Sequence, residues 1–283
     1  FNTQISVCGR FYEFEDGKKI CKYDEKFEKC YEFEDAIEEM NDFYYFDMSA
    51  WGKLYKKELF DDIKFPEGKL SEDYFIMYKL FEKSKKISYT SEPLYNYLQR
   101  QNSISKNKKI NHDFIEAARC QMNDLENNSK KLKIITHVAY ASSCLTVADF
   151  YIKQGVKCPK EKIVEYRRII KKNYKFIKKY KKLTIAKKIQ FFLFLINYNL
   201  YKKCFRCSSR FLPRRVPGER RLPWRNACSR KIRDRRTTDW DAPQSISDAE
   251  GAGSELFSPW HCCPTAGIPP AFPADPAGGS HHL

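Results

Sequence analysis

Ile5, Val7, Phe11, Tyr12 and Phe14 place apolar side chains along a short run broken by polar residues, a pattern that predicts a strand leaving a buried sheet. Asp16-Gly17 is a strong hairpin-turn pair, and Ile20-Cys21-Lys22-Tyr23 reads as the returning strand. Phe33, Ala36, Ile37 and Met40 then recur at helical spacing, and the acids among them (Glu32, Glu34, Asp35, Glu38, Glu39) read as a solvated helix face. Ser49 to Phe60 reads as a short helix opening on Trp51, and Phe65-Pro66-Glu67-Gly68 as a loop. Ser71 is placed to cap the next helix, whose inner stripe is Tyr74, Met77, Leu80 and Phe81. Ile87 to Tyr89 forms a short strand and Pro93 to Tyr97 an extended segment.

From about Asn111 to Lys203 the periodicity is helical, with stripes such as Phe114, Ala117, Ala118 and Met122, and later Ile163, Tyr166, Ile170 and Tyr174. Ile189 to Tyr201 is uncharged between Lys pairs but too short to span a bilayer. It suits a helix lying on a membrane surface or, equally, one docked on the core. Residues 206–283 show no sustained periodicity, and their Pro- and Gly-rich stretches predict disorder.

Composition sharpens that last boundary. Net charge is +16, which raises an anionic membrane or nucleic acid as a partner. Yet residues 1–205 hold 35 of the 36 Lys and only 5 Arg, whereas residues 206–283 hold 1 Lys and 11 Arg. All 18 Tyr precede Arg206, and ten of the 13 Pro follow Phe205. Folding does not demand such a swap; a change from AT-rich to GC-rich codons does. The expectation is therefore that the tail from about Arg206 is foreign, through a frameshift, fusion or chimera, and that the sequence starts mid-gene at Phe1. The cysteines before it sit singly in apolar or helical patterns, which suggests reduced thiols in a cytoplasmic protein.

The candidate chemistry lies between Ser49 and Ser105. Trp51-Gly52-Lys53-Leu54-Tyr55-Lys56 leads to Phe60, followed by Phe65-Pro66-Glu67-Gly68, then Glu72-Asp73, then Pro93-Leu94-Tyr95-Asn96-Tyr97, then Arg100-Gln101-Asn102-Ser103-Ile104. Five blocks in this order resemble the family 2 (GT-A type, inverting) glycosyltransferases that build bacterial capsules, exopolysaccharides and other envelope glycans. The resemblance covers about residues 1–205. It implies an α/β fold: a partial GT-A (Rossmann-like) sheet lacking its N-terminal nucleotide-binding strands over 1–107, a Lys-rich helical region over 108–205, and the tail over 206–283.

The resemblance further implies transfer of a sugar from a nucleotide-diphosphate donor to a hydroxyl of a glycan or lipid-linked acceptor. Asp73 would be the catalytic base, with Glu72 beside it, and the helix start would favour the ionised form. Substrate-binding roles fall to Trp51 as a sugar-stacking aromatic, Lys53 toward phosphate, and Arg100 as a clamp on diphosphate or acceptor. Each has a plainer alternative in packing, solvation or an ion pair. The complete enzyme would use a divalent cation, Mg2+ or Mn2+, held by an Asp-x-Asp that is absent here; Asp239-Trp240-Asp241 has the letters but lies in the aberrant tail. Cys204-Phe205-Arg206-Cys207 has zinc spacing without a second pair. No transfer is expected from the fragment alone. A competing function is a non-catalytic basic module binding nucleic acid or anionic membrane, which steep salt dependence would reveal.

Overall fold

The structure, a computed structural model, describes residues 2–21, 26–100 and 109–211, with side chains of the last helix described to Arg206. Lys22, Tyr23, most of the Arg100–Ile104 block, Asp239-Trp240-Asp241 and the rest of the tail lie outside the described residues, as does the disorder expected there.

The first strand, β1 (Ile5–Phe14), is the hub of a five-stranded mixed sheet. β2 (Lys19–Cys21) returns antiparallel to its end through the turn foreseen at Asp16-Gly17, where Gly17 takes φ +81° and Phe14 N–H donates to Lys18 O at 2.9 Å. β3 (Glu28–Glu32) feeds α1 (Phe33–Asp42). β4 (Lys53–Tyr55) pairs with the start of β1, and α2 (Glu72–Ser84) leads into β5 (Lys86–Gln99), which runs parallel to β1 with β3 on its far side. The fold is α/β, a mixed sheet followed by a helical region.

Two expectations are corrected. Ser49 to Phe60 is not a helix: Gly52 takes φ +69°, Lys53–Tyr55 joins the sheet, and only Lys57–Phe60 forms a 3₁₀ turn. Antiparallel pairing with Ile5–Val7 satisfies the backbone there, overriding local propensity. Ser71 precedes α2 but does not cap it through its side chain. It adopts φ +56°, and its hydroxyl instead accepts a hydrogen bond from Asn111 Nδ2 at 2.7 Å.

α2 is buried on nearly its whole circumference, with Tyr74, Ile76, Met77, Tyr78, Leu80 and Phe81 all in the core. The sheet lies on one side, and α3 (Asp113–Leu125) on the other, where Asp124 accepts from the Tyr78 hydroxyl at 2.6 Å. Each such side chain contributes about 1.5–3 kcal/mol on full burial. α4 (Lys130–Lys153), capped by the Ser129 hydroxyl, packs on α1, α3, α5 (Lys160–Lys179) and α7 (Tyr198–Phe211). α6 (Ile185–Ile196) is capped by Thr184, and Asn197 separates it from α7, which crosses Arg206 as one helix. One continuous buried cluster runs from Ile5 to Tyr201, so sheet and helical region share a core.

The acidic face of α1 is also more than a solvated surface. Asp35 and Glu38 meet Lys131 of α4, while Glu38 also meets Lys182, 2.9 Å away. Asp42 accepts from the Tyr180 hydroxyl at 3.0 Å, and Glu39 is buried, accepting from the Tyr45 amide. The helical region is seated on this face by charge.

The register between β1 and β5 changes within two residues. Cys8 pairs with Thr90, Gly9 with Pro93 and Arg10 with Tyr95, so a bulge in β5 absorbs three residues. Before it, the odd residues Ile5 and Val7 face inward beside Ile87 and Tyr89. After it, Arg10 and Tyr12 share a side with Tyr95 and Tyr97. An odd shift in pairing moves the other set of side chains to that face. The crossover needs a close backbone approach: a Cβ on Gly9 would lie 2.3 Å from Ser91 O and 2.9 Å from Ser91 C. Gly9→Ala is therefore expected to destabilise the fold by about 1–3 kcal/mol, read as a lower Tm in thermal unfolding. An unchanged Tm would show that the bulge does not depend on that approach.

Candidate active site

The bulge brings a group of side chains together over one part of the sheet. Trp51 stacks nearly parallel on Tyr95 and Tyr97, with ring centroids 5.0 and 4.6 Å apart and interplanar angles of 16° and 9°. The Arg10 guanidinium lies 4.9 Å from the Trp51 ring centroid and 3.0 Å from an oxygen of Asp47. Arg10 Nε also donates to the Tyr12 hydroxyl, and Tyr12 meets Tyr97 edge-on. Arg10 thus ties β1 both to the Trp51 stack and to the loop that precedes Trp51. A guanidinium suits this position because it can stack on a ring and hydrogen-bond in its own plane at once.

Two carboxylates clamp that loop. Asp47 Oδ1 accepts from the Ser49 amide at 3.0 Å, and Asp73 Oδ2, reaching across from the first turn of α2, accepts from the Ala50 amide at 2.9 Å. Tyr55 donates to Ala50 O at 3.0 Å, so both backbone polar groups of Ala50 are held. Lys53, at the start of β4, folds back to donate to Ser49 O, and its charge acts on Asp47 and Asp73 alike.

These two buried acids are driven in opposite directions. Burial alone would raise Asp47, but Arg10, Lys53 and the hydrogen bonds from Ser49 outweigh it and hold the carboxyl at about 2. Asp73 is only 2% exposed, and its burial outweighs the Ala50 amide and Lys53, so its pKa is raised, with the Asp47 charge adding to the effect. Glu72 is raised as well, by burial and then by the charge of Asp73. The helix start favours the ionised form, as expected, and the Asp73 amide there lowers the pKa, but desolvation is the larger effect. Environments that separate two carboxylates in this way are a mark of acid–base sites.

Three buried polar atoms in this region have no hydrogen-bond partner among the described residues: Asp73 Oδ1, Glu72 Oε2 and Trp51 Nε1. A buried atom left unpaired is costly, and such atoms concentrate where a ligand completes the bonding. The site therefore offers one acceptor on a carboxylate of raised pKa, a second carboxylate oxygen, and an indole donor.

Trp51, Lys53, Glu72 and Asp73 are thus gathered in one region, Lys53 turned onto the loop carbonyl of Ser49. Arg100 stands apart, exposed one residue beyond the end of β5 and three residues past Tyr97. Arg10 and Asp47 escaped the sequence reading. Arg10 had one signal, being the single Arg before Arg100 in a Lys-rich stretch; Asp47 had another, a charge between Phe46 and Met48. Among the described residues, no group of three or more His, Cys, Asp or Glu side chains could hold a metal ion. The described side chains do not supply the ligand set expected for a divalent cation.

No family model matches the chain. Among curated proteins, "Glycosyltransferase GlyA" of Streptococcus pneumoniae serotype 4 is 32% identical over 160 residues, covering 52% of this chain. The chain is thus similar over about half its length to a glycosyltransferase, and the match spans only 22% of that relative's own length.

Proposed function

We propose that residues 1–205 form the acceptor-side half of an inverting, GT-A type family 2 glycosyltransferase, with Asp73 as its catalytic base. The carrying observation is the Asp73 carboxylate: buried, raised in pKa, held through one oxygen by the Ala50 amide, and partnerless at the other among the described residues. A general base needs an oxygen that can reach the acceptor proton and enough basicity to take it. Oδ1 offers the first and desolvation the second. In the transfer, the acceptor oxygen bonds to the anomeric carbon of the donor while its proton passes to Asp73 Oδ1. The bond from that carbon to the diphosphate breaks, its electron pair leaving with the diphosphate oxygen.

Glu72 Oε2 and Trp51 Nε1 would complete their bonding with acceptor hydroxyls, the Tyr95–Tyr97 platform fixing the indole. Lys53 would tune Asp73, leaving Arg100 to clamp an anionic group of donor or acceptor. Donor-binding strands and the Asp-x-Asp for Mg2+ or Mn2+ would lie outside the described residues. The free state of every described cysteine fits a cytoplasmic setting, where nucleotide-sugars serve envelope glycan synthesis.

The 283-residue chain, incubated with Mn2+ and a panel of nucleotide-sugars, is expected to transfer no sugar; measurable transfer would contradict a donor half lying elsewhere. In a form carrying donor-binding strands ahead of Ile5, Asp73→Asn is expected to lower kcat about 10²–10⁴-fold. Activity within tenfold of the parent would remove Asp73 from the role of base.

The same substitution separates function from stability. The folded pKa of Asp73 is raised. Below the ordinary carboxylate value both folded and unfolded chains are protonated there, and no penalty exists. As pH rises from that value through the folded pKa, the unfolded chain ionises more readily and the fold is weakened. Asn can keep the Ala50 bond without the charge. Asp73→Asn should therefore match or exceed the parent Tm at pH 7, with the advantage shrinking as pH falls through the carboxylate range; a lower Tm at pH 7 would contradict the direction of the shift.

A further inference from the structure

α6 carries two apolar faces, and only one of them is used by the fold. Phe191 and Phe194 are buried in the core, and Phe194 meets the ring of Tyr201 edge-on. On the opposite side Ile185, Ile189, Phe192 and Ile196 are exposed by 77, 52, 52 and 57%. At 100° per residue these four fall within an arc of about 60° along the whole helix. Leu200, exposed at the start of α7, follows them. Arg167 of α5 secures the helix end, donating to Phe194 O at 3.0 Å and reaching Ile196 O at 3.4 Å, so the stripe is held on a fixed element.

The side chains of α6 and α7 themselves carry charge of one sign. The acids near them are Glu38 and Asp42, on Lys182 just before α6, and the half-buried Asp149, which faces Lys187 and accepts from the Tyr201 hydroxyl. From Tyr166 to Phe211 the chain has 15 Lys and Arg and no Asp or Glu. Exposed Lys181 and Lys203 and half-buried Lys188 and Lys202 flank the helix pair. No helix among the described residues is long and apolar enough to cross a membrane. An apolar stripe on a short helix that carries lysines and no acid of its own matches an anionic lipid surface: side chains enter the acyl boundary while lysines meet phosphate headgroups.

We propose that α6 and the start of α7 form an in-plane docking surface for an anionic bilayer. The inference is independent of the catalytic reading and is tested without activity. The full chain is mixed with phosphatidylglycerol-containing vesicles or with pure phosphatidylcholine vesicles and floated on a density gradient, with its oligomeric state measured in parallel. Flotation with the anionic vesicles only, reduced at high salt, is the expected result. Ile189→Asn with Phe192→Asn should lower vesicle partitioning about tenfold or more, since two large apolar side chains are withdrawn. Leu54→Asn, an exposed residue of β4, should not change it, and circular dichroism verifies that each variant is folded. Absence of flotation, undiminished flotation of the folded double variant, or equal binding to both vesicle types overturns the proposal. A dimer that the double variant converts to monomer, without vesicle binding, would assign the face to a second copy and overturn it too.

Discussion

Asp73 sits in the first turn of α2 with almost no contact with solvent, one oxygen fixed by a backbone amide and the other unpartnered among the described residues. Keeping a carboxylate there is unfavourable unless its surroundings are rigid and nearby charges offset the desolvation. The loop from Asp47 to Gly52 meets that need. It presents the Ala50 amide to Asp73, and it is itself held by Asp47, whose carboxylate pairs with Arg10. Arg10 lies just past the register change opposite Gly9, and the same change sets Tyr12 opposite Tyr97, beside the Trp51 stack. Sheet register, aromatic packing and carboxylate placement are one linked arrangement. Removing one partner of a buried pair such as Arg10–Asp47 typically costs about 3–5 kcal/mol.

The helical region belongs to that arrangement. Lys69 and the Leu70 amide, just ahead of α2, bond to Asp113 at the start of α3, and Asn111 holds the Ser71 hydroxyl. The backbone that delivers Glu72 and Asp73 is therefore fixed from the helical side. On the opposite flank, lysines of α4 and of the segment before α6 settle on the acids of α1. A Lys-rich region of this kind achieves its docking partly through charge, and its remaining cations are spread over α5, α6 and α7.

Much of the fold was legible from periodicity. The strand at Ile5, the Asp16-Gly17 hairpin, the helices beginning at Phe33 and Glu72, and the long helical region follow from spacing alone. The segment from Ser49 to Phe60 was not, because its three-residue strand exists only through pairing with β1, and propensity over so few residues is easily overridden. Arg10 and Asp47 were missed for a related reason: their importance lies in a contact between β1 and a distant loop. Glu72 and Asp73 could be located from the motif series, but not their electrostatics. The sequence reading had the favourable helix start, whereas the burial that outweighs it is created by tertiary packing.

The most direct measurement is the titration of Asp73 itself, followed through the carboxyl carbon by NMR in the intact 283-residue chain, with Asp73→Asn identifying the resonance. A midpoint above the ordinary carboxylate value is expected, moving down if a substitution opens the Ala50 loop to solvent. A midpoint at or below that value would mean that the carboxylate is not desolvated as described, and the case for Asp73 as a base would fall with it.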